Sequence, residues 1–211
     1  MHITEGVAPA SVAAAGALLA AGGVAIGLRA MKDEQTPRAA LVASAVFVAS
    51  LVIRLPLGPS SVHPVLNGLA GVLLGWAAIP TFLIALFLQA LLFQFGGITT
   101  LGINTVTMGF PAVACYYLFS RRIRECKKGR AAFLLGAAAG VTALTLSFVL
   151  WAGALVLSGK QLAIIVKLSL LPHLAIIAIE GVFTGFIVSF LARVYPTAFE
   201  MPHIIKTRSA P

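Results

Sequence analysis

Charged residues are scarce in this chain. Asp, Glu, Lys and Arg make up 10% of its 211 residues, and the acidic residues number six. A soluble domain carries about 25% charged residues, so this composition excludes an ordinary soluble protein. The hydrophobic share of 60% and the mean hydropathy of +1.02 indicate a membrane protein instead.

Two further scarcities exclude other classes of protein. The two cysteines, Cys115 and Cys126, lie in or just after one apolar run, so they form neither a disulfide framework nor a metal-ligand spacing. The sequence also lacks the G-x-x-x-x-G-K-[ST] pattern, whose backbone cradles nucleotide phosphates. A P-loop ATPase module is therefore absent.

Hydrophobic segments occupy most of the chain, and a span of about 20 residues is enough to cross a bilayer. We identify seven, at residues 8–29, 38–55, 62–76, 77–94, 104–120, 131–157 and 162–192. The third is short and rich in glycine, which makes it a candidate for a partial span. The pattern predicts an all-α membrane protein of about seven transmembrane helices. Residues 1–211 form one integral membrane domain, and residues 1–7 are its amino-terminal segment, which is a candidate metal-binding segment.

The formal net charge of +9 indicates membrane topology rather than nucleic-acid binding, because the basic residues lie between the hydrophobic segments. With seven spans, twelve basic residues fall on one side, which the positive-inside rule makes cytoplasmic. These residues are Arg29, Lys32, Arg38, Arg121, Arg122, Arg124, Lys127, Lys128, Arg130, Arg193, Lys206 and Arg208. The amino terminus is then predicted to face outward and the carboxyl terminus to face the cytoplasm.

The first two residues can bind a metal with the chain terminus itself. Methionine aminopeptidases remove Met only before small residues, so Met1 is expected to remain in front of the bulky His2. No cleavable signal peptide is expected, because the first basic residue, Arg29, follows the first apolar run. The Met1 amine and the His2 amide and imidazole can then close two adjacent chelate rings on one ion. A fourth nitrogen would complete a square plane, which suits Ni(II) or Cu(II), while imidazole leaves cobalt open.

Two polar stretches on the same predicted side are candidates to complete such a site. His63 lies in an irregular stretch, residues 58–68, and is either an interfacial histidine or the fourth nitrogen. Between the fourth and fifth segments, a second stretch forms either an ordinary external turn or a loop that folds over the site. In the latter case its polar side chains would be hydrogen-bond partners that orient the imidazoles, namely Gln89, Gln94, Thr99, Thr100 and Asn104.

The last segment carries two ionisable residues, His173 and Glu180, seven positions apart and hence on one helical face. Ionisable residues inside a span serve as ligands or proton carriers in many membrane proteins, but we favour a role as inward-facing polar contacts. An intramembrane metal-dependent enzyme using His63, His173 and Glu180 is an alternative, although no H-E-x-x-H pattern accompanies them. His203 lies in the carboxyl-terminal tail and is predicted to be solvated.

Four stretches, which together span nearly the whole chain, resemble the CbiM/NikM family. They are MHITEG at residues 1–6, SSVH at 60–63, the run 89–104 containing GGITTLG, and IEGVFTG at 179–185. Members of this family are the substrate-binding membrane subunits of energy-coupling factor transporters for cobalt and nickel.

The resemblance implies a seven-helix bundle with the amino terminus inserted into it, in a bacterial or archaeal cell membrane. It implies Co(II) or Ni(II) as the transported substrate, held by the Met1 amine, the His2 amide and imidazole, and the His63 imidazole. It implies no catalysis and no catalytic cofactor. The implied partners are a transmembrane coupling subunit, two cytoplasmic ATPases, often a small accessory membrane protein, and membrane lipid. A subunit that binds an organic vitamin is the alternative, and it would need an aromatic-rich pocket rather than His2.

The residues after His2 bear on which metal is carried. Position 4 is Thr, where this family typically has Met or Pro. Position 5 is Glu, where other members of the family have Asp. Glu5-Gly6 favours cobalt, whereas a square of nitrogens favours nickel. The identity of the metal is open at this point.

Overall fold

The chain folds into a bundle of helices with one small antiparallel sheet. The computed structural model describes residues 2–52, 55–57, 60–126 and 129–199. The strands are β1 (His2–Ile3), β2 (Leu55–Leu57) and β3 (Ser60–Val62), in the order β1-β3-β2. The helices are α1 (Ala10–Ala30), α2 (Thr36–Val52), α3 (Asn67–Leu74), α4 (Ala78–Phe93), α5 (Leu101–Cys115), α6 (Arg121–Glu125), α7 (Gly129–Ser158) and α8 (Ala163–Val194).

Within the described ranges, five helical stretches are long and apolar enough to cross a membrane. They are Ala10–Ala30, Asp33–Val52, Asn67–Phe93, Gly129–Ser158 and Lys160–Val194. The predicted helical membrane bundle is therefore confirmed, whereas the number of seven spans stays a prediction. α5 has 15 residues and is continued by a π-helical turn, Tyr116–Ser120, into α6.

The third predicted segment differs most from a regular transmembrane helix. The chain leaves β3 in irregular conformation, and α3 then has eight residues, or about 12 Å of helix, against a hydrocarbon core of about 30 Å. All eight residues are buried, so α3 is a core helix surrounded by protein. Gly75, with φ of 56°, ends α3 and turns the chain toward α4. His63 consequently lies on a non-helical stretch buried inside the bundle.

Glycines bring α7 and α8 into close contact. A Cβ atom added at Gly140 would lie 3.1 Å from the Cα of Gly181, and one at Gly136 would lie 3.1 Å from the Cα of Gly185. Side chains at these positions would force the two helices apart, which is why small residues four apart recur on both.

The start of α5 packs closely on α1. A Cβ atom added at Gly102 would lie 2.5 Å from the Cα of Ala17, and one at Gly16 would lie 3.0 Å from the Cα of Ile103. This contact holds the loop before α5 beside the segment that precedes α1. The amino-terminal residues and the polar loop therefore meet.

Candidate metal centre

The amino-terminal segment enters the protein as a strand. β1 pairs antiparallel with β3, with His2 opposite Ser61 and Ile3 opposite Ser60. The Ser60 hydroxyl also donates a 2.6 Å hydrogen bond to the carbonyl of His2. A two-residue strand gains little from pairing alone, so its other edge needs partners as well.

Side chains at the start of α5 and just before it supply those partners. Asn104 accepts a hydrogen bond from the Ile3 amide at 2.9 Å and donates one to the Ile3 carbonyl at 3.1 Å. Thr100 donates a further 2.8 Å hydrogen bond to the same carbonyl. One carboxamide thus satisfies both backbone groups of Ile3, as a neighbouring strand would. Thr100 and Asn104 therefore hold the strand that carries His2.

The loop between α4 and α5 closes over this strand. The Glu5 amide donates to the Gly96 carbonyl at 2.9 Å, and the Thr99 amide donates to the Glu5 carboxylate at 3.2 and 3.3 Å. A Cβ atom at Gly97 would collide with the Glu5 side chain, and one at Gly96 would lie 3.4 Å from Nδ1 of His2. Gly96 also has φ of 78°, a conformation that other residues rarely adopt. The loop can lie this close to His2 because glycine stands at both positions.

The two predicted metal-binding histidines lie together. His2 is 1% exposed and His63 is 2% exposed. Their rings stack with centroids 4.6 Å apart and an angle of 28° between planes. Nδ1 of His63 lies 2.7 Å from the Pro64 carbonyl. A carbonyl oxygen can only accept a hydrogen bond, so this contact assigns the proton to Nδ1 and the lone pair to Nε2. This orientation suits a neutral imidazole that binds a metal through Nε2.

Met1, the third predicted metal-binding residue, lies outside the described residues. His203, the histidine of the carboxyl-terminal tail, lies outside them as well. Of the five predicted orienting residues, Thr100 and Asn104 donate hydrogen bonds to the carbonyl of Ile3, next to His2 in the chain. Thr99 contacts Glu5 through its backbone amide, and Gln94 is exposed at the end of α4. Gln89 is fully buried, and its carboxamide makes no hydrogen bond within the described part of the chain.

His173 and Glu180 lie elsewhere in the core. The His173 ring packs against Phe148 and Trp151, and its Nδ1 lies 2.7 Å from the Ser169 carbonyl one turn earlier in α8. The described ranges contain no group of three or more His, Cys, Asp or Glu side chains that could hold a metal ion. His63, His173 and Glu180 are accordingly not among the groups that could hold a metal ion in those ranges.

Glu180 instead anchors the chain next to His63. Its carboxylate accepts hydrogen bonds from the amides of Val65 at 2.8 Å and Asn67 at 3.2 Å. These amides lie at the start of α3, where backbone N–H groups have no partner within the helix and a carboxylate is favourable. The Asn67 side chain in turn donates to the Ser147 hydroxyl of α7 at 2.6 Å. Helices α7 and α8 thus hold the irregular stretch that carries His63.

Sequence reasoning missed Trp151 and Ser60. The indole of Trp151 donates a 3.1 Å hydrogen bond to the Ser60 hydroxyl, which itself donates to the His2 carbonyl. The one available signal was an aromatic donor within an apolar run, because a buried indole nitrogen needs an acceptor. Its acceptor, 91 positions earlier in the chain, could not be identified from the sequence.

We expect Asn104→Ala to weaken metal binding about 10- to 100-fold, the usual cost of losing an outer partner of a metal site. The substitution removes both hydrogen bonds between Asn104 and Ile3, keeps the one from Thr100, and so loosens the strand that carries His2. Metal titration of the purified protein measures the effect. Thr105→Ala is the matched control, because the Thr105 hydroxyl bonds to the Leu101 carbonyl of its own helix. Equal losses in the two variants would contradict the role assigned to Asn104.

Comparison with known proteins identifies the family. Residues 2–198 match the family model for the cobalt uptake substrate-specific transmembrane region, CbiM. A Haemophilus influenzae protein, provisionally named a metal transport protein, is 40% identical over 93% of this chain and 95% of its own length. The cobalt transport protein CbiM of Sorangium cellulosum is 33% identical over 98% of this chain and 97% of its own length.

A nickel relative and a solved structure agree with this match. The fused nickel transport protein NikMN of Rhodobacter capsulatus is 34% identical over 87% of this chain and 56% of its own length. The crystal structure of a transition metal transporter, 23% identical, shares the fold with a TM-score of 0.68 over 92% of this chain and 93% of that one. The chain therefore belongs to the cobalt uptake substrate-specific transmembrane family, and it is a multi-pass membrane component of a transporter that takes up cobalt or nickel.

Proposed function

We propose that this chain is the substrate-binding subunit of an energy-coupling factor transporter and that it captures one Co(II) or Ni(II) ion. The observation that carries the proposal is the buried, stacked pair of imidazoles from His2 and His63. The four proposed ligands are the Met1 amine, the His2 amide, the His2 imidazole and the His63 imidazole.

The buried surroundings of His2 and His63 favour binding of a metal ion by the two imidazoles over their protonation. Two charged imidazoles at this separation, both removed from water, would repel each other and lose their hydration. Neutral imidazoles avoid that cost and present lone pairs, which late first-row metals bind well. Strand pairing and the contacts of Asn104 with Ile3 hold the strand whose His2 ring stacks on the ring of His63. The two histidines are thus already assembled for an ion to bind.

Helix α5 and its continuation support an inward direction of transport. Asn104, near the start of α5, contacts the amino-terminal strand, whereas Arg121 follows 17 positions later, or about 25 Å along a helix. The basic residues of α6 favour the cytoplasmic side, so the metal site is proposed to open outward. Metal then enters from outside and displaces protons from the Met1 amine and the His2 amide.

Release requires the loop over His2 to move. The proposed partners supply this motion: two cytoplasmic ATPases that hydrolyse ATP, a transmembrane coupling subunit and a small accessory membrane protein. The Rhodobacter relative is a fused nickel transport protein that is longer than this chain, which supports a subunit that works together with others. This chain is proposed to supply recognition and no catalysis.

The proposed function is tested by loading the purified protein with nickel and measuring its metal content and X-ray absorption spectrum. We expect one ion per chain and four nitrogen ligands in a plane. Binding should weaken as the pH falls, because the ligands must lose protons to bind. Sulfur ligands, or a protein that binds neither nickel nor cobalt, would overturn the proposal. Co-purification of ATPase subunits from cell membranes tests the partner assignment separately.

The proposed orientation predicts that Cys126, just after α6, is inaccessible from outside the cell. In a Cys115→Ser background, a membrane-impermeant maleimide should label Cys126 in permeabilised cells but not in intact ones. Gln161→Cys is the matched positive control, because Gln161 is exposed in the turn between α7 and α8 at the opposite end of α7. Labelling of Cys126 in intact cells would reverse the topology and turn uptake into export.

A further inference from the structure

His2, Ser61 and His63 share one face of the small sheet. Directly opposed residues of an antiparallel pair point to the same face, and His2 is opposite Ser61 in the β1–β3 register. The stacking of His63 on His2 places the second imidazole on that face as well. Ser60 points the other way, as strand alternation requires, and contacts Trp151 there.

The hydroxyl of Ser61 is buried without a hydrogen-bond partner. Ser61 is 0% exposed, and its Oγ makes no hydrogen bond to any residue that the structure describes. Nearly all buried polar side-chain atoms do have a partner, and one left without incurs a free-energy cost. By contrast, the hydroxyl of the neighbouring Ser60 takes part in two hydrogen bonds. The hydroxyl of Ser61 is thus a buried polar group that is available to a ligand on the same face of the sheet as the two imidazoles.

We propose that the Ser61 hydroxyl is a fifth, axial ligand of the bound ion and that it biases the site toward Co(II) over Ni(II). The inference rests on the proposed four-nitrogen site and leaves those nitrogens in place. It assigns the choice of metal to a residue that is neither a histidine nor part of the chain terminus.

The chemistry of the two ions gives the direction of the bias. Four nitrogens occupy a plane, so a fifth donor can approach only along the axis. In planar Ni(II), with eight d electrons, the axial orbital is filled and repels a donor. In planar Co(II), with seven, that orbital holds one electron, and an axial donor stabilises the complex. Nitrogen ligands alone bind nickel more tightly than cobalt, so an axial oxygen is a means of offsetting that preference.

The test compares cobalt and nickel binding by the native protein, Ser61→Ala and Ser61→Thr, with Ser60→Ala as the control. Competition titrations give the ratio of the two affinities, and X-ray absorption of the cobalt form gives the coordination number. For Ser61→Ala we expect the cobalt-to-nickel affinity ratio to fall about tenfold, with nickel affinity almost unchanged. An axial bond is weaker than the four bonds in the plane, so its loss is expected to cost about as much as loss of an outer hydrogen-bond partner. Cobalt should change from five ligands to the spectrum of a four-coordinate plane, and Ser61→Thr should restore the native ratio and spectrum.

The control separates selectivity from general damage. Ser60→Ala loses the hydrogen bond to the His2 carbonyl, so it should weaken both metals alike and leave their ratio unchanged. The apo form of Ser61→Ala should melt at or above the native temperature, because the substitution removes an unpaired buried hydroxyl. An unchanged ratio and cobalt spectrum in Ser61→Ala would overturn the inference, as would equal loss of both metals or loss of folding. A native protein that binds neither metal would instead overturn the proposed function itself.

Discussion

Adding one glycine before Met1 is expected to abolish metal binding. The extension converts the terminal amine into an amide, which is a far poorer ligand, and it breaks the chelate that the amine forms with the His2 nitrogens. The loss should exceed the roughly 10- to 100-fold that follows removal of an outer partner of a metal site. His2→Ala should be as damaging, because it removes the imidazole of the same chelate. Nickel and cobalt titration of the purified proteins measures both effects.

The same glycine placed at the carboxyl end of the chain is the matched control and should leave binding unchanged. Mass spectrometry must show that Met1 is present in the native protein and that the added residue is retained in the variant. β1 is held by contacts at Ile3 and Glu5, so the extended protein should fold and melt as the native apo protein does. Normal metal binding by a protein with a verified amino-terminal extension would show that the terminal amine is not a ligand.

His63→Ala is also expected to lose the metal, whereas His173→Ala and His203→Ala should keep it. His63 supplies the imidazole that stacks on His2, and removing it leaves three of the four proposed ligands. His173 packs on Phe148 and Trp151 and bonds its own helix, so its loss should lower stability more than metal affinity. Metal content after purification and thermal melting of the apo proteins distinguish the two effects.

Rescue by free imidazole is a second test of the role of His63. The His63→Ala protein has a cavity beside His2, and millimolar imidazole should restore part of its metal binding by filling the vacated position. Imidazole should have no such effect on His2→Ala, because the lost nitrogen belongs to a chelate with the backbone. If His173→Ala lost metal as completely as His63→Ala, helix α8 would have to donate a ligand.

The helical bundle could be predicted because it depends on local properties. Long apolar stretches with basic residues between them report spans directly, and five such stretches satisfy the criteria of length and apolar composition in the described ranges. The third segment differs most from its prediction. Its amino-terminal part is irregular rather than helical because Glu180, more than 110 positions away, satisfies the amides at the start of α3. Hydropathy cannot reveal a partner that distant.

The candidate metal site likewise has features that could be predicted from the sequence and features that could not. His2 and His63 stand out by residue type, since imidazole is a rare side chain in so apolar a chain and binds transition metals well. The group around them could not be read from the sequence, because its contacts join residues far apart: Ser60 with His2 across 58 positions, and Asn104 with Ile3 across 101. Gln94 was predicted to orient the imidazoles because it lies in the polar stretch between α4 and α5, but its side chain is exposed.

By itself, therefore, the sequence determined that this protein lies in the membrane and which imidazoles are available to a metal, because both follow from the chemistry of residues taken one at a time or in short runs. Only the tertiary structure decided that His2 and His63 stack, that Glu180 anchors α3, and that the Ser61 hydroxyl is buried on the face of the imidazoles. Those facts depend on strand register and on helices that meet across the bundle. Register and helix contacts are set by the packing of the whole chain, and no short run of residues encodes them.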